Sequence, residues 1–343
     1  MRIAMVSRYL PSGSKIGVGY QVHLLANGLV ERGHQVTVFS QCSACADARY
    51  ETVTVPVGAR LRTFRFAWNL RRADFSGFDV LHGHTDDYWL DTRGRPPHIR
   101  TLHGASWAEA RNASGWKLRL RMALLALGEQ RSVRIADRVV CVSRDTCRYF
   151  PGVTGVIPNG VDLTVFHPGG VPEGVPTILF VGTYERRKRG KLLMEIFARE
   201  VLPAVPEAQL WMVCEDAPAA PRVSRFCRVP TAELAELYRR AWVFCLPSRY
   251  EGFGVPYVEA MASGLPVVAT PNPGAEEVLE GGRYGVIAGP ELLGATLVRL
   301  LTSPEERSRW RAAGLERARQ FDRERVLDCY EQLYAEVVAA ARG

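Results

Sequence analysis

Two glutamates separated by seven residues, Glu251 and Glu259, have the types and spacing in this chain that best suit chemistry. An apolar run ending at Leu246 predicts a buried strand, and Pro256 suits the first turn of a helix. The amides of residues 253–257 would then lie at a helix N-terminus, where they can hold a phosphate or a sugar hydroxyl. The two carboxylates suit hydroxyls of the same ligand. A nucleotide sugar carries both groups; the alternative is that Glu259 only complements the helix dipole and Glu251 is solvated.

A glycine pair near the start of the chain, Gly17 and Gly19, is a second candidate ligand loop. It follows a predicted strand at 2–7 and opens a predicted helix at 18–32. With no Cβ in the way, these amides would approach a phosphate or a transferred sugar closely. A Gly-x-Gly pattern by itself is more often a turn.

Strands and helices alternate along the whole chain, and this order predicts the elements that position these residues. In the first half, the predicted strands are 2–7, 35–40, 79–82, 99–103 and 138–142, and the predicted helices are 18–32 and 116–134. In the second half, the predicted strands are 177–181, 209–213, 242–246 and 266–269, followed by a tail that is helical over 305–342. Proline and glycine alternate between 155 and 176, which predicts a domain linker there.

This βα order predicts the α/β class, with two doubly wound parallel sheets covered by helices on both faces. We predict an N-terminal Rossmann-like domain over 1–165, a C-terminal Rossmann-like domain over 166–320, and a final helix over 321–343 that crosses back to the N-terminal domain. The two domains would face a central cleft, because ligands of such sheets bind outside the carboxyl ends of the strands.

The composition excludes several classes of protein. Of the 343 residues, 47% are hydrophobic and 23% charged, which is typical of a globular protein and not of a disordered or fibrous one. We find no signal-type segment and no apolar run long enough to span a membrane, and several of the eight cysteines lie in apolar runs, as reduced thiols do. We therefore expect a cytoplasmic protein. Cys42 and Cys45 form a C-x-x-C pair without the further ligands of a zinc site, so we predict no metal.

The net charge of +8 lies entirely in the first half of the chain. Residues 1–170 carry 22 basic and 13 acidic side chains, whereas residues 171–343 carry 22 and 23. The excess favours an anionic partner, and an ordinary arginine-rich surface explains it equally well. No RNA signature, zinc finger or basic zipper is present, so we predict no nucleic-acid partner. The basic residues concentrate at Arg60, Arg62, Arg65, Arg71 and Arg72, and at Lys117, Arg119, Arg121, Arg131 and Arg134.

The segment from Glu251 to Glu259, with the Ala-Met-Ala-Ser-Gly-Leu-Pro-Val-Val-Ala-Thr that follows, resembles the E-x7-E signature of the retaining family-4 glycosyltransferases of GT-B fold. Other motifs occur in the family's order and extend the resemblance over nearly the whole chain. They are Gly33-His34-Gln-Val-Thr-Val, Asp79-Val-Leu-His82-Gly-His84, Thr101-Leu-His103-Gly104, Ala136-Asp-Arg-Val-Val-Cys-Val-Ser143, Val156-Ile-Pro-Asn-Gly-Val-Asp162 and Ile178-Leu-Phe-Val-Gly182.

The resemblance implies a role for each matched residue. Glu259 would bind the ribose of a nucleoside-diphosphate sugar and Glu251 the hydroxyls of its hexose. His103 would contact the donor sugar near the reacting centre; as a lone histidine it would more often be structural. His82 and His84 match a pattern whose role is mostly structural. The donor-binding set implied in this way is Gly17, Gly19, Gly182, Gly252, Phe253, Gly254, Val255 and Glu259.

One motif departs from the family's pattern. Relatives usually carry an arginine where this chain has Thr183 and a lysine where it has Arg189, and that pair clamps the donor diphosphate. We predict that Lys188 and Arg189 take over this catalytic role, because a guanidinium grips phosphate oxygens with two hydrogen bonds. Arg186 and Arg187 are the other candidates, and we expect at least one of them to be a solvated turn residue.

The resemblance also implies a mechanism and a set of partners. The hexose would be transferred with retention and without a side-chain nucleophile, and fixed amides with lysine and arginine would stabilise the leaving diphosphate without metal or other cofactor. The acceptor, a polysaccharide, a lipid-linked sugar or a natural product, would bind the N-terminal domain. The charge excess of that domain, and not the resemblance, suggests either an anionic acceptor or contact with the inner face of an anionic membrane that carries a lipid-linked acceptor. A soluble acceptor fits the sequence equally well. The alternatives are a sugar-nucleotide epimerase, an inactive homologue, and a non-catalytic protein that binds an anionic ligand or nucleic acid.

Overall fold

The protein is described from a computed structural model, which covers residues 1–13, 17–59, 61–91, 93–112 and 115–342. Arg60, one of the basic residues named above, lies outside these described residues. The chain divides into two compact units. Unit 1 consists of Met1–Gly160 and Arg323–Gly343, and unit 2 is Val161–Asp322.

Unit 1 is built on a parallel sheet of seven strands. The strands are β1 (Arg2–Val6), β2 (Gln35–Ser40), β3 (Glu51–Thr54), β4 (Val80–Gly83), β5 (His98–Leu102), β6 (Arg138–Cys141) and β7 (Gly155–Val156). The helices are α1 (Gly17–Glu31), α2 (Arg62–Leu70), α3 (Ser106–Asn112), α4 (Trp116–Ile135), α5 (Arg144–Cys147) and the C-terminal α13 (Arg323–Arg342). The strand order is β3-β2-β1-β4-β5-β6-β7, and every pairing is parallel.

Unit 2 repeats this plan with six parallel strands. They are β8 (Thr177–Val181), β9 (Gln209–Val213), β10 (Val223–Phe226), β11 (Val243–Leu246), β12 (Val267–Ala269) and β13 (Val286–Ile287), in the order β10-β9-β8-β11-β12-β13. The helices are α6 (Gly190–Ile196), α7 (Leu202–Ala204), α8 (Thr231–Arg240), α9 (Val255–Ala262), α10 (Pro273–Val278), α11 (Leu293–Thr302) and α12 (Pro304–Ala318). The predicted fold class of two doubly wound parallel sheets is confirmed.

The inner strands are apolar on both faces, which is why helices must cover both sides of each sheet. In β1, residues 3–6 are completely buried. In β11, residues 243–246 are also completely buried. Across the part of the chain that the structure describes, no helix is long and apolar enough to cross a membrane.

The C-terminal helix α13 packs into the core of unit 1 beside α1. Leu327, Tyr330 and Tyr334 are buried there. Gly28 of α1 makes room for this helix, since a Cβ at that position would come within 2.7 Å of the Leu327 side chain.

The prediction of an uninterrupted helix over 305–342 was wrong. Helix α12 ends at Ala318, a 3₁₀ turn follows over Arg319–Phe321, and Asp322 is extended, with a ψ of 134°. The amide of Val161 donates to the carbonyl of Phe321 (2.9 Å) at this point. The helix is interrupted because the chain leaves unit 2 here and re-enters unit 1, and apolar periodicity does not register such a break.

The strand order of unit 2 determines where its candidate site lies. Strands β8 and β11 are neighbours in the sheet but are separated along the chain, so the connections after them run in opposite directions. Such a switch point leaves a crevice at the carboxyl ends of the two strands, where open α/β sheets bind their ligands. The loops that follow these strands begin at Gly182 and Pro247, and they carry the residues that the sequence singled out.

Candidate active site

Glu251 is the centre of the cluster at the switch point of unit 2. Its side chain is buried, and each of its carboxylate oxygens has a cationic partner from the loop after β8: Arg187 Nη1 lies 2.6 Å from Oε2, and Lys188 Nζ lies 3.4 Å from Oε1. Ser248 Oγ donates to Oε1 at 2.7 Å. We refer to Glu251, Arg187 and Lys188 as the Glu251 cluster.

The charge state of Glu251 follows from these contacts. Burial acts to raise its pKa, but the charges of Lys188 and Arg187 and the hydrogen bonds from Arg187 and Ser248 outweigh burial and hold the pKa below its usual value. Glu251 is therefore an ionised carboxylate that holds two cations next to the crevice.

The two loops are also joined through their backbones. Arg187 Nη1 donates to the carbonyl of Tyr250 (2.9 Å), and the amide of Arg249 donates to the carbonyl of Arg187 (2.8 Å). Gly182, directly after β8, leaves room for the Lys188 side chain, since a Cβ there would come within 2.7 Å of the Lys188 Cδ. The aliphatic part of Lys188 thus crosses Gly182 to reach Glu251.

Of the four basic residues in this turn, the structure places Arg187 and Lys188 on Glu251. The sequence had favoured Lys188 and Arg189. Arg189 instead lies near Arg249, and burial together with that charge lowers its pKa. The chain is left-handed at both Arg186 (φ 66°) and Arg189 (φ 58°), so the directions of the side chains in this turn do not follow from their spacing.

Glu259 lies on α9 and is partly buried. Tyr238 Oη donates to its Oε2 at 3.0 Å. Burial raises the pKa of Glu259 to about 7, although the hydrogen bond from Tyr238 and the charge of Lys188 act in the opposite direction. The second glutamate is therefore a carboxyl group that changes its charge near neutral pH.

The amides at the start of α9 occupy the place that the sequence predicted. Gly254 precedes the helix in a left-handed conformation (φ 97°), which favours glycine. The amide of Tyr257 donates to the carbonyl of Gly254 (2.9 Å), so it belongs to the turn and not to a ligand site, contrary to our prediction. The amides of Phe253, Gly254 and Val255 donate to no acceptor within the described residues. Phe253 is buried and packs edge-on against Phe321, which holds the loop in place.

Asn272 and Gly274, which the sequence did not single out, hold this loop from the beginning of α10. Asn272 Nδ2 donates to the carbonyl of Ser248 (3.3 Å) and to Tyr257 Oη (3.2 Å), while its Oδ1 caps α10. Gly274 donates its amide to the carbonyl of Glu251, and a Cβ there would lie 2.6 Å from the carbonyl oxygen of Phe253. The Asn-Pro-Gly sequence carried a recognisable helix-start signal for Asn272.

His103 follows β5 in unit 1, and its Nε2 lies 3.0 Å from Nδ1 of His84. Burial lowers the pKa of His103 to about 3, and the charge of Arg100 adds to the shift. Burial likewise places the pKa of His84 well below its usual value. The pair is therefore neutral at physiological pH, so it can donate and accept hydrogen bonds but carries no charge.

His82 is a structural link, as its pattern suggested. Its Nδ1 lies 2.7 Å from Tyr334 Oη on α13, and its Nε2 lies 2.8 Å from Thr101 Oγ1 on β5.

Gly17 and Gly19, both in the first turn of α1, differ in their surroundings. Gly19 is buried, and a Cβ there would lie 2.9 Å from the carbonyl oxygen of Tyr9, whereas Gly17 has nothing within 4 Å of such a Cβ. Packing alone therefore accounts for Gly19.

Three side chains of types that can bind a metal lie together in unit 1, where the sequence predicted no metal site. Ligand atoms of His23, Cys45 and Asp47 all lie within 4.8 Å of one another. His23 Nδ1 already makes a 2.8 Å hydrogen bond with Tyr50 Oη, and His23 Nε2 lies 3.3 Å from Asp47 Oδ2. The imidazole thus has a protein partner at each nitrogen.

Two family models match successive parts of the chain, one mostly in unit 1 and the other in unit 2. Residues 16–165 match the model described as "Glycosyltransferase Family 4", and residues 175–303 match the model described as "Glycosyl transferases group 1". The D-inositol 3-phosphate glycosyltransferase of Thermobifida fusca is 30% identical over 77% of this chain and 71% of its own length.

Solved structures share this architecture at lower identity. Sucrose-phosphate synthase from Thermosynechococcus elongatus superposes with a TM-score of 0.83 at 23% identity, over 99% of each chain. HepE of Anabaena, solved in complex with UDP-glucose, superposes with a TM-score of 0.78 at 16% identity, over 99% of this chain and 100% of its own. At these identities, the likeness establishes the fold.

Proposed function

Because the chain belongs to glycosyltransferase family 4 and has the GT-B fold, we propose that it transfers a hexose from a nucleoside-diphosphate sugar to an acceptor, with retention at the anomeric carbon. The observation that carries the proposal is the Glu251 cluster at the switch point of unit 2. There, two cations and the amide donors at the start of α9 lie at the edge of the sheet where an anionic ligand of this fold binds.

In this proposal, Arg187 and Lys188 bind the donor diphosphate. Thr183 offers no charge at the position where relatives usually carry an arginine, and its hydroxyl donates to the carbonyl of Glu185. Arg187 and Lys188 are already oriented by Glu251, so they are preorganised for the charge that develops on the leaving diphosphate. Lysine, arginine and fixed amides can stabilise that charge, so the proposed reaction needs no metal ion or other cofactor.

Glu259 and Glu251 are proposed to accept hydrogen bonds from hydroxyls of the donor, Glu259 from the ribose and Glu251 from the hexose. Glu259 binds the ribose best as a carboxylate, and its raised pKa makes that interaction dependent on pH. His103 is proposed to contact the donor sugar as a neutral imidazole. No side chain is assigned as a nucleophile, because the proposed attack comes from the face that the diphosphate leaves, with the diphosphate helping to deprotonate the acceptor.

The acceptor is proposed to be an anionic, hydroxyl-bearing molecule that binds unit 1. The basic excess of this half of the chain supports an anionic acceptor. The relative from Thermobifida fusca is named for D-inositol 3-phosphate, and the neighbour from Anabaena was solved with UDP-glucose. Inositol 3-phosphate and UDP-glucose are therefore the first pair to test, followed by lipid-linked sugar phosphates.

The test measures release of nucleoside diphosphate from UDP-, GDP-, ADP- and dTDP-glucose with each acceptor. We expect one donor to be used by the wild type, and Glu251→Ala, Lys188→Ala and His103→Ala each to lower turnover about 100-fold, the typical loss for a transition-state contact. Glu195→Ala, an exposed glutamate on α6, is the matched control and should retain full activity. Proton NMR of the initial product should show the anomeric configuration of the donor.

Two results would contradict the proposal. Full activity of Glu251→Ala would remove the Glu251 cluster from the reaction. If no donor raises the unfolding temperature and none releases a diphosphate, unit 2 has no nucleotide-sugar site, because a bound ligand must stabilise the folded protein.

A further inference from the structure

Helix α4 of unit 1 exposes a continuous row of large apolar side chains. Trp116 (70% exposed), Leu120 (54%), Leu124 (46%) and Leu127 (60%) are separated by four, four and three residues. At that spacing they share one face of the helix, over about 17 Å at the rise of an α-helix. We call these four residues the α4 stripe. Single exposed leucines are common, whereas a contiguous apolar row marks a surface that contacts something else.

Basic side chains alternate with the apolar ones in the first turns of α4. Lys117, Arg119 and Arg121 are exposed beside Trp116 and Leu120. The one acidic residue of this helix, which the structure describes throughout, is Glu129. Its carboxylate is occupied by the amide (2.9 Å) and hydroxyl (2.6 Å) of Ser106. The exposed side of α4 is therefore apolar and positive.

The neighbouring helices continue this character. Arg121 Nη2 lies 3.5 Å from Thr63 Oγ1, which joins α4 to α2, and α2 exposes Trp68 (50%) together with Arg62 and Arg65. Between α3 and α4 lies a shallow groove of about 500 Å³, lined by Trp107, Ala110, Arg111, Arg119 and Ala123. Indole rings and guanidinium groups with aliphatic stems suit the boundary between lipid headgroups and acyl chains.

We propose that the α4 stripe inserts into the headgroup region of an anionic phospholipid bilayer, with Lys117, Arg119 and Arg121 on the lipid phosphates. Charge complementarity favours this occupant over a second copy of the chain, since a symmetric contact through α4 would bring the same cations face to face. The sequence suggested a membrane from charge alone; the structure adds an apolar row that charge does not predict. The inference goes beyond the proposed function because it holds for any acceptor.

Sedimentation of the full chain with vesicles tests the proposal. One set contains phosphatidylglycerol and phosphatidylcholine, and the other phosphatidylcholine only. We expect the wild type to pellet with the anionic vesicles, and the double variant Leu120→Glu/Leu124→Glu to lower the partition coefficient at least about tenfold, because two leucines no longer enter the apolar boundary. Leu292→Glu, an exposed leucine of unit 2 (58%), is the matched control and should pellet like the wild type.

A second pair of variants separates charge from insertion. Lys117→Gln/Arg119→Gln should lower anionic-vesicle binding about 30-fold, at roughly 1 kcal/mol for each charge near the surface, whereas Arg309→Gln/Arg319→Gln, which removes two exposed charges from unit 2, should not. Circular dichroism melts of all variants establish that they fold. The Leu120→Glu/Leu124→Glu variant should release nucleoside diphosphate from a soluble donor and acceptor like the wild type.

Three outcomes would overturn the inference. The first is that the wild type stays in the supernatant with anionic vesicles at low salt. The second is that Leu120→Glu/Leu124→Glu pellets as well as the wild type. In the third case, sedimentation velocity would show a dimer that these substitutions abolish, without vesicle binding, and the α4 stripe would then be a self-association surface.

Discussion

The Glu251 cluster brings one carboxylate and two cations together at the switch point of unit 2. A buried carboxylate with two cations is costly unless each charge has a partner, and here both oxygens of Glu251 are engaged. A donor diphosphate that arrives at Arg187 and Lys188 would exchange one anionic partner for another. In the proposed function, Glu251 holds Arg187 and Lys188 in place until the donor diphosphate binds.

Single substitutions can distinguish the role of Arg187 from that of Arg186, its neighbour in the same turn. Arg187→Ala should weaken donor binding about 10- to 100-fold, the usual worth of a charge-assisted hydrogen bond. Arg186→Ala should leave it unchanged, because the cations that pair with Glu251 are Arg187 and Lys188. Isothermal titration with the nucleotide sugar measures both. Equal affinities for the two variants would show that Arg187 does not touch the diphosphate.

Glu259 predicts a specific dependence of stability on pH. Its pKa is raised from 4.5 to about 7 by burial, so the folded state disfavours the carboxylate, and the free energy of unfolding falls as the pH rises between these two values. Glu259→Gln keeps the acceptor for Tyr238 but removes the charge. We expect this variant to melt like the wild type at pH 4.5 and above it at pH 8. A constant difference in melting temperature across this range would contradict the shifted pKa.

At the scale of elements, the loop between β11 and α9 is held by the beginning of α10. Gly274 touches the backbone of both Glu251 and Phe253, and Asn272 bonds the carbonyl of Ser248. The shape of the candidate donor site therefore depends on a helix that contributes no side chain to the Glu251 cluster.

Gly274→Ala tests this dependence. Its Cβ would lie 2.6 Å from the carbonyl oxygen of Phe253 and 2.8 Å from that of Glu251, so backbone must move, at a cost of about 1–3 kcal/mol. We expect a lower unfolding temperature and a higher KM for the donor. Gly174→Ala, where a Cβ meets nothing within 4 Å, should change neither. Normal donor kinetics in Gly274→Ala would mean that the loop tolerates the shift.

At the scale of the whole molecule, unit 1 is assembled from both ends of the chain. Helix α13 buries Tyr330 and Tyr334 against the first sheet, and Tyr334 bonds His82. Its N-terminus is joined to α1 through Arg32, which pairs with Glu324 (2.8 Å) and Asp328 (2.7 Å). Unit 2, in contrast, is one continuous segment.

Removal of residues 323–343 should therefore unfold unit 1 and spare unit 2. Five buried side chains of α13 are lost, worth about 10 kcal/mol at roughly 2 kcal/mol each, which is comparable with the stability of a whole domain. Calorimetry should show that one unfolding transition disappears while a nucleotide sugar still raises the temperature of the other.

Point variants of α13 provide the milder test. Leu327→Ala should lower the stability of unit 1 by about 2–5 kcal/mol, because it leaves a cavity beside Gly28. Gln332→Ala, exposed on the same helix, should have no effect. If the truncated chain keeps both transitions, α13 is not part of the core of unit 1.

The local pattern of the chain was sufficient to predict the parallel sheets and the loop that joins Glu251 to Glu259. Apolar periodicity, glycine and proline report on segments of a few residues, and the strands and α9 are such segments. The break at Asp322 escaped this reasoning, because it depends on where the chain must go next and not on the residues around it.

Which groups meet, and in what charge state, was decided only by the tertiary structure. The sequence narrowed the cationic candidates to one turn, but the left-handed residues at 186 and 189 bring Arg187 and Lys188 to Glu251. The shifted pKa values of Glu259 and His103 come from burial by elements distant in the chain. When two loops pack at a sheet edge, segments that are distant in the chain come into contact and exclude water from each other's side chains. The spacing of residues along the chain does not predict these contacts.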